Sequence, residues 1–311
     1  MRYLDPKNDV TFKRVFGEHP HLLLSFLNAL LPLPPGQEIV SLEYLTPELV
    51  PQIPILKNST VDVRCCDARN RHFIVEMQVL WTDSFYKRVL FNASKAYVKQ
   101  LRTGQDYHFL QPVYSLNLVD DTFSPKGEMD YYHHYQIVNL ANTERQIEGL
   151  EFVFVELPKF RPKTPEEKKL RVLWLRYLTE IKDRESDISQ DLLDNSEIRE
   201  AIEYLQESAF SLGELDAYDG YWDRVALERT RKTDSLVQGE HVGFVKGLEK
   251  GLEKGEQIGL EKGEQIGLEK GKQIGLEEGE QIGREKELEL VRQRMLAKGF
   301  TEAEIQGILK E

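Results

Sequence analysis

Apolar residues recur at every second position on both sides of a polar break at Asp67–Ala68–Arg69–Asn70–Arg71. A period of two is strand spacing, and the break is rich in turn-forming residues, so residues 60–80 predict a β-hairpin. Folded about Arg69, the hairpin pairs Val61 with Met77, Val63 with Val75 and Cys65 with Phe73 on one apolar face. The other face sets Asp62 opposite Glu76, with Gln78 two residues further on. Facing carboxylates repel each other and are normally unfavourable in a strand pair. A divalent cation held by oxygen ligands reverses that sign; a surface hairpin with ordinary charged pairs is the plainer alternative.

Outside the hairpin the period changes. Asn8 and Asp9 are helix-start residues for a short helix over Val10–Phe16, with Gly17 as its stop. Pro20 opens a buried helix over His21–Leu31, halted by Pro32–Leu33–Pro34–Pro35–Gly36. Ile39–Tyr44 predicts a strand. A helix from Ser84 to Thr103, closed by Gly104, gathers Phe85, Val89, Leu90, Ala93, Ala96, Tyr97 and Leu101 on one face. Gln111–Val119 is apolar on both sides, the pattern of an interior strand, and Tyr135–Leu140 and Leu150–Leu157 add two more. From Thr164 the chain turns helical. Thr164–Pro165–Glu166–Glu167 is a helix-start pattern, and helices are expected over 165–182, 197–211 and 216–235. Leu288–Lys298 predicts an amphipathic helix stopped by Gly299, and Thr301–Glu304 is a capping box for a last helix over Ile305–Lys310.

Between these helical stretches lies a repeat. Gly–Leu–Glu–Lys–Gly–Glu–Gln–Ile recurs every eight residues from Gly251, with Lys272 replacing Glu in the copy at Gly267–Ile274 and Glu278 replacing Lys in the copy at Gly275–Ile282. Eight residues advance a helix by about 80° beyond whole turns, so Leu and Ile spiral around it and form no stripe. Each interior Gly costs about 1 kcal/mol against Ala. A solvated, partly helical linker or a self-association arm is expected. The expected organisation is a core over 1–160, a helical extension over 161–240, the repeat over 241–286 and a helical pair over 287–311.

Composition narrows the function. A net charge of −12 argues against a broadly basic nucleic-acid surface, so any such binding needs a local basic strip or metal ions. Arg88, Lys95, Lys99 and Arg102 share one side of the helix that comes after the hairpin. They form either a solvated helix face or a strip that tracks a phosphate backbone. Adjacent Cys65 and Cys66 make no disulfide framework; Cys65 is expected in the core and Cys66 is incidental. His133 and His134 are adjacent on a strand, diverge, and are expected at the surface. No apolar run is long enough to span a membrane and the first residues show no signal-peptide pattern, so a cytoplasmic protein without a membrane partner is expected.

By itself, Asp62 with Glu76 and Gln78 is a weak motif. The order of features around it is more specific. Asp5–Gly17 (Asp-Pro-Lys-Asn-Asp-Val-Thr-Phe-Lys-Arg-Val-Phe-Gly), Val61–Asp62–Val63, Phe73–Ile74–Val75–Glu76–Met77–Gln78, the helix with Tyr86, Arg88 and Tyr97, and Tyr107 with Pro112–Val113–Tyr114 come in sequence. In that order they resemble the Rpn family of recombination-promoting nucleases and transposases, within the PD-(D/E)XK nuclease superfamily. The resemblance covers about residues 1–240, and a repeat tail of this kind also occurs in that family. It implies an α/β fold: a restriction-endonuclease-like central mixed sheet flanked by helices, followed by an α-helical region and the Gly-Leu-Glu-Lys repeat tail. It implies a metal-dependent DNA endonuclease linked to recombination or mobile elements, with Asp62 and Glu76 holding Mg²⁺ or Mn²⁺. Asp9 is a candidate further acid. Gln78 stands where the superfamily usually has lysine and cannot act as a base; Lys87 and Lys95 are candidates for the lysine's work. The alternative is a catalytically weak or inactive relative that binds DNA or self-assembles, as a homo-oligomer through the helical extension or the repeat.

Overall fold

The computed structural model describes residues 2–48, 60–161, 169–182, 184–185 and 188–308, without the side chains of 184 and 185. The chain forms two compact units, Met1–Arg231 and Lys232–Glu311.

The first unit opens with β1 (Arg2–Tyr3) and α1 (Asp9–Glu18). Asn8 caps α1 by accepting the Val10 N–H. The helix runs through Gly17 and ends at His19, beyond its expected stop. A side chain at Gly17 would meet only Lys13, so nothing there forces a break. α2 (Pro20–Leu30) begins with its proline in the first turn, as expected. The strands β2 (Leu42–Tyr44), β3 (Val63–Asp67), β4 (His72–Gln78), β5 (Val113–Val119), β6 (Tyr132–Asn139) and β7 (Asn142–Glu156) form one mixed sheet. Its order is β2-β3-β4-β5-β7-β6, with β4, β5 and β7 parallel and the other pairings antiparallel.

The hairpin β3–β4 has the expected register, Val63 opposite Val75 and Cys65 opposite Phe73. Asp67 organises its turn. Oδ1 accepts the N–H groups of Arg69 and Arg71, and Oδ2 accepts Arg71 Nε at 2.7 Å. Asn70 takes the left-handed conformation, φ 60°, that Asn tolerates best among residues with a Cβ. Both cysteines are buried, Cys66 included.

α3 (Ser84–Val98) covers one face of the sheet. Phe85 and Val89 pack with Val119 and Phe154, and Ala93 and Ala96 with Ile74 and Val113. The helix stops at Val98, short of Thr103, and Gly104 lies in a separate turn at φ 86°. Leu90, expected on the apolar face, is exposed, and buried Asn92 sits on that face instead.

The other face of the sheet meets α1, α2 and α4 (Lys169–Glu180), whose Trp174, Leu175, Tyr177 and Leu178 join Phe16 and Phe26 in one core. The packing is therefore continuous across residue 160. The expected start of α4 at Thr164–Glu167 lies outside the described residues. β8 (Arg184–Glu185) pairs with β1. α5 (Gln190–Asp194), unexpected from sequence, precedes α6 (Ser196–Glu203). α6 ends well before residue 211 because the chain is drawn onto the N-terminal segment: Leu4 N–H donates to Leu205 O, and Tyr3 bridges Gln206. α7 (Leu212–Ala297) begins in this unit.

The second unit holds the rest of α7 and α8 (Glu302–Ile308). The repeat is helical throughout, not partly, and every residue from 232 to 290 is exposed. Leu, Glu, Lys and Gln are strong helix formers, and their summed preference outweighs the glycines. The helix expected at Leu288–Lys298 is the end of α7, and Gly299 at φ 92° lies just past it. Glu304 accepts the Thr301 N–H, the reach-back bond of a capping box, and the Thr301 hydroxyl donates to the same carboxylate. No helix among the described residues is long and apolar enough to cross a membrane.

Two measurements test this fold. Nothing lies within 4 Å of a Cβ built at Gly259 or Gly267. Gly→Ala at either position is expected to stabilise the helix by up to about 1 kcal/mol, read as a later melt by circular dichroism. Burial and the Arg64 guanidinium push His72 down to about 4. The unfolded chain takes up that proton near pH 6.5, so the stability present above this value is lost as pH falls toward 4. His72→Gln is expected to flatten this part of the urea-melt pH profile.

Candidate active site

Backbone pairing between β3 and β4 stops at Val63, and the next N–H on the β4 side is that of Met77. Asp62, one residue ahead of β3, answers it: Oδ2 accepts the Met77 N–H at 2.7 Å. Hydrogen bonding thereby continues with a carboxylate in place of a strand carbonyl, which fixes Asp62 beside Glu76. Asp62 Oδ1 has no hydrogen-bond partner among the described residues.

Glu76 is buried on the α3 side of the sheet. Asn92 Nδ2 donates to its Oε1 at 2.9 Å, and Arg88 approaches Oε2 at 3.4 Å. Arg88 and Asn92 are one helical turn apart, so both reach the same carboxylate. Arg88 also donates to Gln78 Oε1 at 2.5 Å, and Gln78 Nε2 donates to Leu80 O at 2.5 Å. Both ends of the Gln78 amide are thus engaged. Asn92 escaped the sequence reading; its only signal is a lone amide on an otherwise apolar helix face.

Burial pushes the Asp62 carboxyl up to about 7. The Met77 N–H opposes this, the charges of Glu76 and Asp9 add to it, and Lys13 opposes it weakly. Burial also raises Glu76, against the Asn92 and Arg88 contacts. Asp9, the first residue of α1, is held by Lys13 at 2.8 Å. With Asp62, Gln78 and Arg88 it lines a cavity of about 270 Å³, closed on another side by Tyr221, Arg224 and Glu228 of α7. The N-terminal loop braces this region. Lys7 Nζ binds Asp120 at 2.9 Å, and the Asp120 N–H donates to Gln78 O. Burial raises Asp5 beside it to about 6, although Lys7 opposes the shift.

The basic strip divides. Arg88 reaches the cavity, whereas Lys95 lies over the Phe91 ring at 4.7 Å and Lys99 caps α3. Arg102 lies beyond the helix end, and neither Lys87 nor Lys95 lines the cavity. His133 is not a surface histidine. Its Nε2 meets buried Glu156 at 3.0 Å, and Glu156 also accepts Ser124 Oγ, Phe123 N–H and Lys159. Burial raises Glu156, but these donors together outweigh it and hold the carboxyl below its ordinary value. His134 pairs with Glu151 at 2.9 Å. Among the described residues no three His, Cys, Asp or Glu side chains converge as a metal cluster, so the acidic centre is the pair Asp62 and Glu76 with Asp9 nearby.

The family model of the PD-(D/E)XK nuclease family transposases matches residues 6–225. The chain belongs to this nuclease family. No curated protein and no solved structure matches it. The family span takes in the acidic hairpin, α3 and the part of α7 that carries Tyr221 and Arg224; the octapeptide repeat lies outside it.

The site's electrostatics give a direct test. Between about pH 4 and 7 the folded chain keeps an Asp62 proton that the unfolded chain releases, so this group lowers stability as pH rises through that window. Asp62→Asn keeps an acceptor for the Met77 N–H and removes the penalty. In metal-free buffer its Tm is expected to exceed wild type by a few degrees at pH 8 and to match it at pH 4, by scanning calorimetry.

Proposed function

We propose that this chain is a divalent-metal-dependent DNA endonuclease that hydrolyses phosphodiester bonds, acting in DNA recombination or the movement of mobile elements. The observation that carries the reading is Asp62 in the wall of a cavity, with one oxygen uncommitted and with buried Glu76 behind it. The donor set fits a hard cation. It is all oxygen, two carboxylates suffice for Mg²⁺ when water and phosphate complete the shell, and burial has already raised both carboxyls. When bound, Mg²⁺ or Mn²⁺ would supply an acidified water and positive charge against the phosphate.

The chain's own residues perform the remaining tasks. Met77 N–H fixes Asp62, and Asn92 and Arg88 fix Glu76. Gln78 does not titrate and takes no proton. Its amide, oriented by Arg88 and Leu80, positions water or a phosphate oxygen. Asp9 adds an acid at the rim, with Lys13 balancing its charge. Of the basic strip, Arg88 alone lines the cavity, where it orients Glu76 and Gln78; Lys95, Lys99 and Arg102 are left for contacts further along the duplex.

One observation favours a second reading. The Gln78 amide has both ends engaged and no lysine among the described residues lines the cavity, as suits a catalytically weak or inactive nuclease fold that binds DNA or self-assembles.

Supercoiled plasmid incubated with the purified chain and Mg²⁺ or Mn²⁺ separates the two. Cleavage is expected, abolished by a chelator and lowered at least ~100-fold in Asp62→Ala and Glu76→Ala, with Asn92→Ala losing about 10–100-fold as an outer partner of a metal ligand. Cleavage undiminished in both carboxylate variants overturns the first reading. Metal and DNA binding without cleavage selects the second.

A further inference from the structure

One wall of the cavity comes from neither the sheet nor α1 nor α3. It is the first part of α7, where Tyr221, Arg224, Val225 and Glu228 recur at helical spacing. This wall is held firmly. Tyr218 is buried with Leu4 and Phe210, its hydroxyl accepts the Asp5 N–H at 3.0 Å, and its carbonyl accepts Asn8 Nδ2 at 3.0 Å. Asn8 is also the cap of α1, so one clamp places both Asp9 and the α7 wall.

Two guanidinium groups line the cavity, and they differ. Arg88 is committed to Glu76 and Gln78. Arg224 is exposed and makes no hydrogen bond or ion pair among the described residues; the Tyr221 ring, 5.9 Å from its guanidinium carbon, is the contact that steadies it. Glu228, one turn further on, lies beyond ion-pair distance. The other charged side chains of the lining are Asp9, Asp62 and Glu228, in a chain of net charge −12. Such a surface repels a polyanion unless a local cation meets it. An uncommitted guanidinium is suited to this task, because its planar fork of donors matches two phosphate oxygens.

We propose that Arg224 is a phosphate-positioning residue: it binds the non-bridging oxygens of a DNA phosphodiester entering the cavity, from the wall contributed by α7. This deepens the nuclease reading and rests on it for the reaction at that phosphate. It also moves part of the DNA contact from the strip after the hairpin to α7.

The test uses the full chain carrying Asp62→Asn, a fluorescein-labelled DNA duplex and Mg²⁺, with anisotropy titrations across a range of salt. Adding Arg224→Gln is expected to weaken binding roughly 10-fold and to reduce the slope of log affinity against log salt by about 0.9, the signature of one lost phosphate contact. Arg224→Lys is expected to keep the slope and lose part of the affinity, because it keeps the charge but not the fork. Arg224 is exposed, so an unchanged melt confirms that both variants fold. Unchanged affinity and slope in Arg224→Gln overturn the proposal even if the wild-type chain cleaves DNA. Binding without cleavage by the wild-type chain, together with a reduced slope in Arg224→Gln, overturns the nuclease reading and supports Arg224. A wild-type chain that binds no DNA overturns both.

Discussion

One hydrogen bond, from the Met77 N–H to Asp62, determines the character of the site. A backbone N–H at the end of a strand pair must find a partner, and here a carboxylate supplies it. Asp62 is therefore carried to Glu76, which α3 buries against Asn92 and Arg88. Bringing acids together out of water is unfavourable by itself. The offset lies on the opposite face of the same hairpin, where Val63, Cys65, Phe73 and Val75 are packed into the core with α1 and α2. The apolar side of the hairpin thus makes its unfavourable acidic side possible.

The ends of the parallel strands show how hydrogen-bond donors separate one carboxylate from another. Gln78, Val119 and Glu156 stand in register at the ends of β4, β5 and β7. Glu156 is saturated by Ser124, Phe123, Lys159 and His133, and its charge is stabilised. Asp62 and Glu76 have fewer donors, and their charges are penalised. Glu156 therefore acts as a lock for the loop after β5, whereas the acidic pair keeps its electrostatic cost.

Much of this was legible in the chain. The hairpin register came from the period of two, because a slip by one residue would turn Val63 and Phe73 outward. Asp62 and Glu76 came with it. Asn92 was hidden because a helix face is recognised by its apolar majority, and one amide does not alter the pattern. The α7 wall was hidden more deeply. Tyr221 and Arg224 reach the site only through the clamp between Tyr218 and the loop at Asp5 and Asn8, a tertiary contact that leaves no periodicity. Gly17 and Gly104 misled in opposite directions: the first lies inside a helix, and the second stands beyond a helix that has already ended. Glycine permits a stop without enforcing one.

The octapeptide repeat gives α7 a freedom that packed helices lack. Each copy adds about 12 Å of helix and rotates the downstream residues by about 80° about its axis. In a core, such a change would tear side chains from their partners. Here every side chain from 232 to 290 is exposed, so a copy gained or lost breaks no packing and rejoins the same sequence on either side. Copy number is thus a variable on which the fold places no selection, and the length of this helix is free to drift among descendants of the gene while the site-bearing unit stays as it is.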